Sequence, residues 1–204
     1  MTSTIAHPFN AYDTASMPAF VIIGIPKTMR VEHLPTHVLA LANKDPKLNT
    51  GLSLVPIHAQ VIATQCGRVP PMPTPNIPDA AVSLQPLDQE HYHTRIVPLV
   101  PMQVPSVDTF SLLFKFLCEQ DVGHLFRRFI PLGPPGGGMW DGDFSRLAET
   151  LANERTGASI LSGALFIYRF WQNACSLGVL NPAVWNVIDV VWKAHRNALL
   201  LAQR

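Results

Sequence analysis

Leu54-Val55-Pro56-Ile57-His58-Ala59-Gln60-Val61-Ile62-Ala63-Thr64-Gln65-Cys66 is the stretch on which the fold turns. A short apolar run of β character reaches a histidine. Beyond it the period changes, with Val61, Ile62 and Cys66 at helical spacing and Gly67 placed to stop the helix. A second switch of the same kind runs from Val97-Pro98-Leu99-Val100-Pro101-Met102-Gln103-Val104-Pro105 into Ser106 to Cys118. Two strand-to-helix switches separated by a proline-rich loop predict a compact α/β recognition module. Neither has the form of a catalytic turn.

Working outward, Ala19 to Ile25 is a continuous apolar run closed by Gly and Pro, the signature of a strand. Thr36 to Ala42 fits a strand or a short helix equally well, and Lys44 to Gly51 is turn chemistry. Leu52 to Ile57 is a second strand, which Pro56 assigns to an edge or a strand end. Residues 70–78 hold five prolines in nine and predict an extended, polyproline-like loop. An SH3-type ligand reading of that loop has only Arg68 as its basic partner.

Ile96 to Val104 is the third strand. Ser106 is a fair N-cap for the next helix, with Asp108 in its first turn and Phe110, Leu113, Phe114 and Leu117 on one face. His124 to Ile130 is a short helix before Pro131. Gly133 to Gly138 lacks the Lys-Ser or Lys-Thr that a phosphate loop requires, so it reads as a linker. Asp143 can cap a helix carrying Phe144, Leu147 and Leu151. A long helix, Ala158 to Leu177, is stopped by Gly178. Asn181-Pro182 opens the last one, with Trp185, Ile188 and Trp192 on one face.

Eighteen of the nineteen prolines lie at or before Pro135, so the last third is free to be helical. The expected organisation is a tail over 1–18, an α/β core over 19–132 with the loop 70–78, a Gly/Pro linker over 133–142, and a helical part over 143–204 packed on the core. The fold class is α/β (α+β), a small mixed sheet with a helical bundle.

The 204 residues suit one domain, or one with an appendage, and allow roughly 70% of the unfolded surface to be buried. Only 14% of residues are charged, against about 25% usually. So little charge means apolar surface is either well hidden or offered to a partner. The net charge of +1 supplies no field for nucleic acid, and Arg127-Arg128 is too short a cluster to change that. Cys66, Cys118 and Cys175 are odd in number and set in apolar helical sequence, the usage of buried free thiols in a reducing compartment. Met1-Thr2-Ser3-Thr4 has no basic n-region or apolar core, and polar residues break every long apolar run. The expectation is an intracellular protein, not secreted and not in a membrane.

Chemistry is sparse. His91-Tyr92-His93 could place two imidazoles on one side of a strand, but nothing completes a metal set, so no metal and no cofactor is expected. His58, at its junction, is a structural pivot whose imidazole satisfies buried backbone groups. Catalysis or ligand binding there is the alternative. There is no Gly-x-Ser-x-Gly elbow, apolar surroundings would raise the thiol pKa values, and the acids Asp121 and Asp189 form no pair, so no catalytic residue is assigned. The aromatic set Phe166, Tyr168, Phe170, Trp171, Trp185 and Trp192 reads either as a core seam between the last two helices or as a partner-binding surface. Phe170, Trp171, Trp185 and Trp192 are the partner-binding candidates.

His58, Val61, Ile62, Ala63 and Cys66 resemble the His-x-x-Val-Leu-Ala-x-x-Ser signature of BTB/POZ domains, in which the histidine ends a strand and opens a core helix. Val97 to Cys118 is similar to that fold's third strand and following helix. Cys118 stands where tyrosine is common and Ala59 where Lys or Arg is usual. Pro56-Ile57-His58, Val104-Pro105-Ser106 with Thr109-Phe110, and Trp171-x-Asn173-Ala174-Cys175-x-Leu177-Gly178-Val179 followed by Trp185 resemble the clampless-type developmental regulators of mushroom-forming fungi over roughly residues 52–200. That resemblance implies a BTB/POZ-like core and a non-catalytic regulator of mating-dependent growth such as clamp-connection formation. It would act in the nucleus, or the cytoplasm, through protein contacts with transcription-linked factors. It implies no direct nucleic-acid contact and leaves homodimerisation open. A small enzyme or ligand-binding protein using a pocket near His58, and an obligate subunit of a hetero-complex, are the competing classes.

Overall fold

The computed structural model describes residues 17–26, 28, 34–45, 47, 51–74, 92–131 and 144–203. The tail expected over 1–18 (all but its last two residues), the linker over 133–142 and the capping Asp143 lie outside the described residues. The protein is of mixed α/β class, with strands β1 (Phe20–Pro26), β2 (His37–Asn43), β3 (Ser53–Ile57) and β4 (Tyr92–Val104). The helices are α1 (Ala59–Gln65), α2 (Val107–Glu119), α3 (Val122–Phe129), α4 (Phe144–Glu154), α5 (Gly157–Leu177) and α6 (Pro182–Leu201).

The chain divides into two compact units. One comprises Met1–Thr64 with Val69–Val107, the other Gln65–Arg68 with Asp108–Arg204. This division differs from the composition break at 132/133, because α2 and α3 join the helical unit. Proline and glycine mark where chain direction changes; the burial of an amphipathic face decides which unit a helix belongs to.

In the first unit the sheet order is β1-β4-β2-β3, with β4 antiparallel to β1 and parallel to β2, and β2 antiparallel to β3. The segment Thr36 to Ala42, open between strand and helix on sequence alone, is the core strand β2. All seven β2 residues are buried, which explains an apolar run with no alternation to mark it. The prolines of β4 fall where they cost no ladder bond. Leu99 N–H donates to Ala19 C=O at 3.0 Å, so the nitrogen of Pro101, two residues on, points the same way, past the end of the β1 ladder at Phe20–Pro98. Pro98 faces the β2 side, where pairing begins only at Leu99. Pro56 lies in β3, an edge strand as expected. Val38, Ala40, Val97 and Leu99 form the core of one sheet face, with Val21, Ile23 and Leu54 packed against them.

The strand-to-helix junction is held by Thr36 and His37. Thr36 Oγ1 accepts the N–H of Ala59, the first residue of α1, at 2.8 Å. The buried His37 ring contacts Thr36 Oγ1 at 2.9 Å through Nδ1 and the Pro73 carbonyl at 2.8 Å through Nε2, the latter as donor. His58 is half-buried; its carbonyl accepts from Val61 N–H, and among the described residues its imidazole makes no hydrogen bond. Thr36 and the first residue of β2, His37, supply the polar contacts seen at this junction. The reason is geometric: Ile57 pairs with His37, which brings Thr36 beside the start of α1.

The helical unit is delimited by caps. Asp121 accepts from His124 N–H at the start of α3, Thr156 from Ser159 N–H at α5 and Asn181 from Ala183 N–H at α6. Gly178 ends α5 in the left-handed conformation, φ 61°, as the sequence pattern requires. The C-terminus of α5 is also clasped: Gly67 N–H donates to Gly178 C=O, Arg68 N–H to Leu177 C=O, and Leu180 N–H to Gln65 C=O. Phe129 of α3 packs edge-on against Phe170, ring centroids 5.0 Å apart, and tilted against Phe166 at 5.9 Å. Buried Asn173 Nδ2 donates to buried Thr109 Oγ1 at 2.9 Å.

The short loop between α5 and α6 makes them antiparallel neighbours. At Gly163 the His195 ring of α6 lies against α5, where a Cβ would be 2.6 Å from its Nε2. His195 itself is buried and donates from Nδ1 to the Val191 carbonyl at 2.8 Å. Of the three cysteines only Cys66 is buried. Cys118 is exposed and Cys175 half-buried, because each lies off the buried stripe of its helix.

Candidate functional site

The aromatic set of the C-terminal helices divides by helical angle. Phe166 and Phe170, one turn apart, both pack against Phe129; Phe166 is half-buried and Phe170 is 0% exposed. It is out of reach of a partner and belongs to the hydrophobic seam. Tyr168 and Trp171, on another side of α5, remain 44% and 40% exposed. With Ile167 they form one wall of a groove of about 440 Å³. The other wall is Trp185, Ile188, Asp189 and Trp192 of α6, at positions i, i+3, i+4 and i+7. Three of the four sequence-based candidates, Trp171, Trp185 and Trp192, therefore come together. Tyr168 joins them.

Each wall is positioned by an identifiable contact. Tyr168 and Trp171 stack nearly parallel, centroids 5.7 Å apart at 24°, so each ring restrains the other. Trp185 is fixed by its indole N–H, which donates to the Val179 carbonyl at 3.0 Å just after the Gly178 turn. Trp192 is 43% exposed. Gly163 and His195 hold the two helices together one turn before the groove begins. Burial lowers the His195 pKa, the Val191 hydrogen bond opposes this, and the Arg155 charge lowers it further. His195 is therefore neutral at pH 7 and acts as packing.

Asp189 is the charged residue of the groove lining. Lys193 Nζ donates to its Oδ2 at 2.7 Å, with both side chains about half exposed. An exposed i,i+4 pair of this kind contributes about 0.3–0.5 kcal/mol, so it does not lock the carboxylate against another cation.

The three thiols are raised rather than activated. Burial pushes the Cys66 thiol up to about 11. Burial and the neighbouring Glu119 raise Cys118. Burial raises Cys175, partly opposed by Arg68. Asp121 is spent as a helix cap. Among the described residues no three His, Cys, Asp or Glu side chains cluster as metal ligands; the His91 and His93 side chains lie outside them. Among those same residues no helix is long and apolar enough to cross a membrane.

Sequence reasoning missed Gly163, His195 and the Thr36–His37 pair. Gly163 in the middle of a helical pattern is a signal of close approach, since glycine there is otherwise unfavourable by about 1 kcal/mol.

Comparison with protein-family models matches residues 1–105 to the clampless protein 1 N-terminal domain and residues 123–204 to the clampless protein 1 C-terminal domain. The chain belongs to the clampless protein 1 family. No curated protein and no solved structure matches it. Clampless family membership suggests a regulator of clamp formation in fungi. The N-terminal family segment ends at residue 105, close to the Val107/Asp108 division between the two compact units. The groove lies wholly within the C-terminal family segment.

Proposed function

We propose that this clampless-family chain is a non-catalytic protein-interaction module in fungal sexual development, and that it docks a partner protein in the groove between α5 and α6. The observation that carries this reading is three partly exposed aromatic residues, Tyr168, Trp171 and Trp192, gathered on one groove of a protein with only 14% charged residues. Large aromatics at a concave surface are the residues that dominate protein–protein binding energy. The raised thiol pKa values favour docking over nucleophilic catalysis. In this reading the partner is a transcription-linked factor and the site of action is the nucleus. The sheet unit, with its histidine-marked strand-to-helix switch, serves as a BTB/POZ-like scaffold in this reading.

The test is genetic complementation of a strain lacking the gene. A Trp171→Ala/Trp192→Ala chain, present at parental abundance, is expected to fail to restore clamp connections. Full restoration by that variant would refute docking at this groove.

A further inference from the structure

Four aromatic rings and one carboxylate line the same groove, and that combination discriminates among ligands. Building on the docking reading above, we propose that the groove receives an arginine side chain of the partner protein. Its guanidinium would lie against the indoles of Trp171 and Trp192 and meet the carboxylate of Asp189.

A purely apolar anchor would strip water from Asp189 without replacing its hydrogen bonds, which is unfavourable. A cation over an indole face is attracted by the ring quadrupole, and the carboxylate adds an opposite charge on the same side. Arginine suits both requirements. Its plane stacks on an aromatic ring, as Tyr168 and Trp171 stack on each other, and its fork of donors matches a carboxylate. The groove of about 440 Å³ exceeds a guanidinium group, leaving room for the three-carbon stem along Ile167 and Ile188. Lys193 on Asp189 Oδ2 does not block this arrangement, because that pair is half exposed and weak. An unmethylated lysine fits less well, since its compact ammonium is more strongly hydrated and does not stack.

The test uses the ¹⁵N-labelled full chain and follows the indole N–H signals of Trp171 and Trp192, assigned with single Trp→Phe variants. The probes are the N-acetyl methylamides of arginine, citrulline, norleucine and Nε-trimethyl-lysine. Citrulline keeps the shape of arginine without its charge. Saturable shifts are expected with the arginine derivative, with affinity about fivefold or more above citrulline and norleucine. Asp189→Asn should lower the arginine affinity by a similar factor while leaving the spectrum folded. Equal binding of citrulline or norleucine would overturn the proposal in favour of an apolar anchor. Tighter binding of trimethyl-lysine would overturn it in favour of an alkylammonium site, and no saturable shift with any probe would overturn it outright. Complementation reads the docking proposal separately. Lost clamp formation without arginine preference sinks only the arginine assignment, whereas arginine binding with intact clamp formation sinks the docking reading and, with it, the assignment of that arginine to a partner protein.

Discussion

Two aromatic groups sit in the same helical unit and share helix α5, yet they are built for different tasks. Phe170, with half-buried Phe166 beside it, meets Phe129 ring to ring. Tyr168 and Trp171, a fraction of a turn away, stack on each other and face outward with Trp185 and Trp192. The hydrocarbon set has no polar atom to satisfy and is buried completely at Phe170. The set with polar handles keeps water access, and its most restrained member, Trp185, hydrogen-bonds a backbone carbonyl. Aromatic richness alone therefore says little about role. Angular position and polar atoms separate packing from docking.

The sharpest way to break the comparison is at its interior end. Phe170→Ala removes a ring held edge-on by Phe129, and unfolding in urea should show a loss of about 3–5 kcal/mol. A loss below about 1 kcal/mol would mean the phenylalanine cluster is not core.

Next in size is the contact between Gly163 of α5 and His195 of α6. Gly163→Ala would place a methyl 2.6 Å from Nε2 of His195, so the buried, hydrogen-bonded ring or the helix that carries it must give way, at a cost of about 1–3 kcal/mol. Because the groove walls belong to those two helices, the indole N–H signals of Trp185 and Trp192 should move in the same variant. Unchanged signals would show that the groove is set independently of that contact.

The acid response is a smaller effect. The pKa of His195 is lowered in the fold, so below about pH 6.5 the unfolded chain binds more protons than the folded one. The stability from neutral His195 is present above the unfolded value, falls as pH drops through it, and levels off below the folded pKa. Urea midpoints measured between pH 7.5 and pH 5 should fall less steeply in His195→Gln than in the parent. An identical slope would show that His195 does not report on the α5–α6 packing.

The helical unit was the more legible half. Asn181-Pro182, Gly178 and the long apolar run over 158–177 each carry local chemistry that fixes a helix boundary, and the structure places α5 and α6 within a residue of those signals. The sheet was harder. β2 is buried on both faces and has no alternation, so periodicity could not separate it from a short helix. Sequence analysis brought Trp171, Trp185 and Trp192 to notice but could not remove Phe170, because the spacing of aromatics on a helix does not say which direction faces the core. The junction polar contacts were illegible for another reason. Thr36 and His37 reach Ala59 and Pro73 through strand pairing, which no local pattern records.

The most direct test is equilibrium unfolding in urea of the Trp171→Ala/Trp192→Ala chain beside Phe170→Ala. If the groove residues serve docking and the phenylalanines serve packing, the double variant should stay within about 1 kcal/mol of the parent while Phe170→Ala loses about 3–5 kcal/mol. A double variant as unstable as Phe170→Ala would show that the groove is core, and the contrast between the two aromatic groups would not stand.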